Sequence, residues 1–190
     1  MMARPREYDA ARALDDIQRV FWARGYHGTS LQDLEAATGL RKQTLYREFG
    51  NKDAMYARAL ALYLDRDVGA LVQGITGEVE MRPRLTALFN AVLAPVRAGD
   101  RSGCFLCNAS VDHAEADPAI AEMVQNGLEA TRRLMADTLA LDPRYRNDDA
   151  ARRAASIRLT AGYFGLRVMI RAGTPLDQLE TVAQTVIDNV

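Results

Sequence analysis

Residues 29–52 read TSLQDLEAATGLRKQTLYREFGNK, and this stretch decides the fold. Thr29 or Ser30 can cap a helix, and Ser30 with Asp33 imitates a capping box. A short helix is expected over Leu31–Thr38. Gly39 then supplies a tight turn, and a second short helix is expected over Arg41–Phe49. Leu31, Leu34, Leu45 and Phe49 lie where the two helices would face each other, so they form a small core. Two short helices joined by a glycine turn make a helix-turn-helix, whose second helix can lie in the major groove of DNA.

On either side of this stretch the pattern stays helical. Ala10, Leu14, Ile17 and Phe21 recur at helical spacing, and Gly25 ends that first helix. Gly50-Asn51 breaks the chain before a long helix from about Asp53 to Val72, with Met55, Ala59 and Leu62 on one face. Pro83 is expected to start the next helix, because a first-turn proline loses no bonded N–H. That helix fades past Pro95 into Gly99–Gly103. Further helices are expected over Cys104–Ala114, from Asp117-Pro118 to Ala140, and over Ala150–Ala172. Asp142-Pro143 reads as a turn. Thr174-Pro175-Leu176-Asp177 caps a last helix running almost to Val190. The expected class is all-α, with a head over residues 1–52 and a helical body over 53–190.

Bulk composition narrows the functions. The 190 residues carry 48% hydrophobic residues, enough for a real core, and a net charge of −1, which argues against a wholly basic nucleic-acid coat. Only two lysines occur, Lys42 and Lys52, and both lie in the helix-turn-helix region. No apolar run is long enough for a transmembrane helix, so no membrane partner is expected. The start, MMARPREYDAARALDD, lacks the apolar stretch of a signal peptide, so the expected location is the cytoplasm. Cys104 and Cys107 cannot build a disulfide framework. No cofactor is expected.

In a helix-turn-helix, phosphate contacts give affinity and base edges give specificity. Lys42, Gln43, Thr44 and Arg47 face outward from the second helix. Lys42 and Arg47 reach guanine or phosphate, and Gln43 pairs with adenine. Tyr46 offers its hydroxyl to a phosphate while its ring packs inward. Ser30, with the N–H groups beside it, and Lys52 are further phosphate candidates. Spacing alone also allows an ordinary helical hairpin with a polar face.

The first sixty residues resemble the TetR family of bacterial repressors. The resemblance rests on Gly25-Tyr26-His27-Gly28-Thr29-Ser30, Ala36-Ala37-Thr38-Gly39-Leu40, Leu45-Tyr46-Arg47-Glu48-Phe49 and Asn51-Lys52-Asp53. Two positions depart from the family pattern. Arg41 stands where a small capping residue is usual, leaving the helix less well capped or Arg41 free for a phosphate. Glu48 places an anion near DNA, beside Arg47 or as a discriminator. The resemblance implies an all-helical C-terminal domain that binds a small-molecule effector and dimerises through its last two helices. Ile157, Ala161, Phe164 and Val168 form one apolar stripe. Leu179, Val182, Ala183 and Val186 form another, and Gly162 and Gly165 permit close helix approach. The stripes bury either against a partner or against their own subunit. A two-fold dimer would set its reading helices about 34 Å apart on a near-palindromic operator in double-stranded DNA.

Gly103-Cys104-Phe105-Leu106-Cys107-Asn108 resembles the Gly-Cys-x-x-x-Asn step of an AcrR-like TetR subgroup, some of whose members sense electrophiles or oxidants. Cys104 is expected in a helix's first turn, where the backbone dipole favours a thiolate, with Arg101 near in sequence and Cys107 one turn on. The other reading makes Cys104 a core or pocket-lining residue. His113 offers one imidazole without a converging ligand set, so no metal site is expected, and the bland reading is a solvated helix end. Asn108, His113, Phe89 and Tyr163 are candidate pocket residues. His27 reads as a surface residue, Phe21 and Trp22 as packing residues.

Three functions compete. A homodimeric transcriptional regulator, released from its operator by a ligand, explains most features, with thiol-based sensing through Cys104 as its variant. An enzyme lacks a catalytic set, a phosphate-binding glycine loop and a metal cluster. A pure interaction bundle without DNA binding leaves Lys42, Tyr46 and Lys52 unexplained.

Overall fold

The computed structural model describes residues 8–75 and 77–190. Among them ten helices follow one another, with no strand: α1 Ala10–Arg24, α2 Leu31–Thr38, α3 Lys42–Phe49, α4 Lys52–Gly74, α5 Met81–Arg97, α6 Phe105–Asp112, α7 Pro118–Leu139, α8 Pro143–Arg146, α9 Asp149–Arg171 and α10 Leu176–Asp188. Most start where the sequence offers an acceptor or a proline; α3 and α5, behind Arg41 and Glu80, have no side-chain cap bond. Asp9 caps α1, Asn51 caps α4, Asp117 caps α7 and Asp148 caps α9, each accepting backbone N–H groups of the first turn. Three expectations shift. Helix α5 begins at Met81, so Pro83 is its third residue, where the N–H is still an orphan. Asp142-Pro143 opens the single turn α8 rather than a loop. Pro175 precedes α10 without any side-chain cap bond.

Two cores organise these helices. One joins Ile17 and Phe21 of α1, Leu34 of α2, Leu45 and Phe49 of α3, and Met55, Tyr56, Ala59, Leu60 and Tyr63 of α4 to Phe105, Ala109 and Ile120. The other holds Leu71 and Ile75 with Leu85, Leu88 and Phe89 of α5, Leu159, Tyr163 and Leu166 of α9, and Leu179 and Ile187 of α10. Helix α4 therefore contributes its first half to one core and its last turn to the other. Each fully buried leucine or phenylalanine contributes about 1.5–3 kcal/mol. The core beneath α2 and α3 does not stop at residue 52; it reaches into α6 and α7. On α1 the innermost face is Ala13, Ile17 and Phe21, with Ala10 and Leu14 half-buried at its flank.

Gly25 closes α1 at φ 72°, and a side chain added there would meet the Asp112 carboxylate at 2.7 Å. Backbone conformation and crowding both demand glycine at that position.

Candidate nucleic-acid interface

Helices α2 and α3 meet through Leu34 and Leu45, both with no exposed surface. Gly39, at φ 68°, makes the turn. The capping box is present in full: the Ser30 Oγ accepts from Asp33 N–H, and Asp33 Oδ2 accepts from Ser30 N–H at 2.8 Å. Ser30's hydroxyl and N–H are thus both bonded to Asp33 in the cap.

Helix α3 buries Leu45 and Phe49 and turns its other side outward. Arg41, Lys42, Gln43, Tyr46 and Arg47 are exposed, and Thr44 is half-buried. Tyr46 is 41% exposed, so its ring lies at the surface rather than packing inward; the Lys42 ammonium stands 5.5 Å from its centroid. The surface therefore presents three cations, an amide and a phenol over two turns. Arg41 occupies the N-cap and makes no side-chain cap bond. Its place is taken from the preceding helix: Glu35 Oε1 accepts Lys42 N–H at 2.6 Å. The sequence signal was present, a carboxylate seven residues ahead, but only the turn geometry aims it at α3. The Glu48 carboxylate accepts the Tyr8 hydroxyl at 2.8 Å, which ties α3 to the start of α1.

Lys52 begins α4 half-buried, with its ammonium 4.2 Å above the Tyr26 ring. Tyr26 is the centre of a junction. Its backbone N–H donates to Asp112 and its hydroxyl to Asp53. Burial, then the Asp53 carboxylate, push that hydroxyl up to about 12. His113 is no solvated helix end: it is 7% exposed, and its ring stacks on Tyr26 at 3.6 Å. Asp53 Oδ1 lies 3.6 Å and Asp117 Oδ2 3.9 Å from its Nε2, and neither ring nitrogen has a hydrogen-bond partner. The imidazole is held by ring packing and joins head to body. His27, beside it, is exposed as expected.

The body's candidate residues scatter. Phe89 is a core residue, 1% exposed, edge-on to Tyr163 at 6.0 Å. Tyr163 is equally buried, and its hydroxyl accepts from Arg167 Nη2 at 2.5 Å. Arg167 Nη1 donates to the Tyr63 hydroxyl at 2.6 Å, and that hydroxyl donates to Cys104 Sγ at 3.4 Å. Cys104 is the N-cap of α6 rather than a first-turn residue, and its Sγ accepts Cys107 N–H at 3.4 Å. Burial pushes the thiol up, yet the hydrogen bond with Cys107, the Arg167 charge and the Tyr63 hydroxyl outweigh it and hold the thiol at about 6. The helping cation is therefore Arg167, not Arg101, whose guanidinium is bound to the Thr174 carbonyl at 2.7 Å. Sequence proximity points to Arg101; only the fold, which sets α9 beside α6 and bonds Arg167 to Tyr63, brings Arg167 in.

On α9, Ile157 and Val168 are 51% and 56% exposed, Ala161 is exposed, and Phe164 is half-buried. That stripe faces outward. The α10 stripe does not follow it: Leu179 has no exposed surface and Ala183 is buried in the subunit's own core. Val182 and Val186 are half-buried and pack on that core. Gly162 serves this inward contact, since a Cβ there would meet Val186 methyls at 2.7 and 2.8 Å. The faces Leu179–Val182–Val186 and Leu179–Ala183–Ile187 overlap on the helix, and the second wins because α9 and α5 cover it.

Residues 13–59 match the family model described as bacterial regulatory proteins, tetR family. The chain is 36% identical over 107 residues to the HTH-type transcriptional repressor ComR of Escherichia coli K12, covering 55% of this chain and 51% of the relative. It is 29% identical over 121 residues to the uncharacterized HTH-type transcriptional regulator YezE of Bacillus subtilis 168, covering 63% and 62%. The chain thus spans about half to three fifths of these relatives' length. Among solved structures it resembles a cysteine mutant of the TetR family transcriptional regulator CifR, complexed with 26-base-pair operator DNA. There the TM-score is 0.85 at 25% identity, over 97% of this chain and 98% of that one.

Proposed function

We propose that this chain, whose N-terminal domain is of the TetR family of bacterial regulatory proteins, is a sequence-specific DNA-binding transcriptional regulator that acts as a homodimer. One observation carries the reading. Helix α3 keeps Arg41, Lys42, Gln43, Tyr46 and Arg47 in solvent while Leu45 and Phe49 anchor its opposite face. A helix so mounted can enter a major groove with its cations on phosphates and its amide on a base edge. Lys52, stacked on Tyr26, and Ser30, whose hydroxyl caps α2, are the further phosphate contacts of this reading. The outward stripe of Ile157, Ala161, Phe164 and Val168 is the surface that a second copy would cover. Release by a small molecule requires that the ligand favour one of two dimer conformations, since equal affinity for both shifts nothing.

Selection of bound sequences from random DNA tests the reading directly. The expected product is a near-palindrome with half-sites one helical turn apart. Enrichment of no motif, with a folded protein, would return the chain to the class of interaction bundles. Ile157→Glu with Val168→Glu should halve the sedimenting mass while leaving helicity intact; a dimer that survives both changes places the interface elsewhere.

A second reading of the control step rests on the Cys104–Tyr63–Arg167 chain. A thiol held below its usual range is a nucleophile at neutral pH. Alkylation by iodoacetamide, in which Sγ bonds the carbon and iodide leaves, would place an amide inside the head core. DNA release by this reagent that persists in Cys104→Ser would end that reading.

A further inference from the structure

Between α6, α7 and α9 lies a cleft of about 520 Å³. Its walls are mainly apolar, with Leu106, Val124, Leu128, Phe164 and Val168 among them; Phe164 and Val168 are shared with the outward stripe of α9, so a second copy seated on that stripe would form part of the cleft's surroundings. Two arginines, Arg167 and Arg171, line one side, and no carboxylate residue is among the lining. The volume suits an organic molecule of ordinary metabolite size. The charge balance selects its class. An apolar body is accepted by the walls, and an anionic end is accepted by the exposed Arg171 guanidinium, while Arg167 stays bonded to Tyr63 and Tyr163.

The same wall touches the head. Arg171 Nη2 donates to the Ala23 carbonyl at 2.8 Å, and Asn108 Nδ2 donates to the Trp22 carbonyl at 3.4 Å. Both carbonyls belong to the last turn of α1, the negative end of that helix, which the body holds through these two side chains. Arg171 is exposed, so its guanidinium can turn from one acceptor to another. A carboxylate offers it a full charge and two oxygens in place of two neutral peptide carbonyls, those of Ala23 and, at 3.4 Å, Ser102, and charge-assisted bonds of that kind are about twice as strong.

We infer that this cleft is an effector site for an amphipathic carboxylate, and that the bound anion takes Arg171, with Asn108, away from the end of α1. The inference rests on the reading of the chain as a ligand-controlled DNA-binding regulator, and it adds the ligand's class and the lever. Helix α1 carries Ile17 and Phe21 into the core beneath α3. Loosening its last turn therefore alters the seat of the reading helix without any step through α4.

The test uses the full-length protein, with decanoate and its neutral counterpart decanamide as probes. Binding is read by calorimetry and by fluorescence of Trp22, the single tryptophan, whose own carbonyl Asn108 holds. Decanoate is expected to bind at least about tenfold tighter than decanamide and to shift the Trp22 emission. Arg171→Gln should lower decanoate affinity about tenfold or more and leave decanamide unchanged, while Arg171→Lys restores part of the difference. Ala172→Phe, which fills the cleft wall, should block both probes. Equal binding of acid and amide, an unaltered decanoate affinity in Arg171→Gln, or no heat with decanoate at millimolar concentration would overturn the inference. A DNA arm separates the two levels. Protein that holds DNA but ignores decanoate overturns the cleft alone; protein that binds decanoate but no DNA overturns the regulator.

Discussion

Lys42→Ala is the sharpest probe of the reading helix. Its side chain is exposed and, among the described residues, its ammonium stands over the Tyr46 ring at 5.5 Å, so folding stability should change by less than about 0.5 kcal/mol. Helix α3 and its cap present three exposed cations, Arg41, Lys42 and Arg47, and a dimer doubles that number. If each neutralises one phosphate, the logarithm of the binding constant falls with the logarithm of salt at a slope of about −5.4. Raising salt from about 50 to about 200 mM then weakens binding roughly two-thousandfold. Removing Lys42 from both copies should shallow the slope by about 2 and cut that loss to roughly one-hundred-and-fifty-fold. Fluorescence anisotropy on a selected operator, repeated at five salt concentrations, measures both slopes. A variant with the wild-type slope would show that Lys42 meets no phosphate. A slope near zero in the wild type would dismiss the electrostatic account of α3 altogether.

Other consequences can be checked by stability measurements. Glu35→Ala removes the acceptor for Lys42 N–H and should cost about 1 kcal/mol in urea unfolding; adding Arg41→Ser, which brings its own cap, should recover most of it. Gly162→Ala drives a methyl into Val186 and should cost about 1–3 kcal/mol, with Val186→Ala as the rescue; an unchanged melting temperature would mean α10 is not seated as described. The Cys104 thiol is held at about 6, below its value in the unfolded chain, so its contribution is complete above about pH 9 and is lost as pH falls through 6. Wild type should therefore gain on Cys104→Ala by on the order of 1 kcal/mol or more between about pH 6 and 9; parallel stability curves would show that the Arg167–Tyr63 chain does not act on the sulfur.

What could be read in advance was what is decided locally. Gly25, Gly39 and Gly50 end helices, Ser30 and Asn51 start them, and Asp117-Pro118 opens another; each needs only its near neighbours. The outward cations of α3 follow from the same local logic, because Leu45 and Phe49 fix which side is inward. The contacts that escaped depend on helices distant in sequence. Arg167 reaches Tyr63 across 104 residues, Asp112 reaches Tyr26 across 86, and Arg171 reaches Ala23 across 148. His113 escapes for the same reason: its run of acidic neighbours signals solvent, and Tyr26 and Tyr56, distant in sequence, cover it. On α10 two apolar faces overlap, and composition does not choose between them.

The sharing of α4 between two cores bears on how such proteins can be recombined. A cut at residue 52 would strand Tyr56, Ala59 and Leu60 on one fragment and Leu34, Leu45 and Phe49 on the other, while Phe105, Ala109 and Ile120 stayed behind as well. A reading head grafted onto a foreign body at that point would arrive with half of its interior missing. Modular exchange of specificity must move the upper part of α4, and the faces of α6 and α7 that meet it, as one inherited block. Melting of either core should likewise drag the other with it in a single transition.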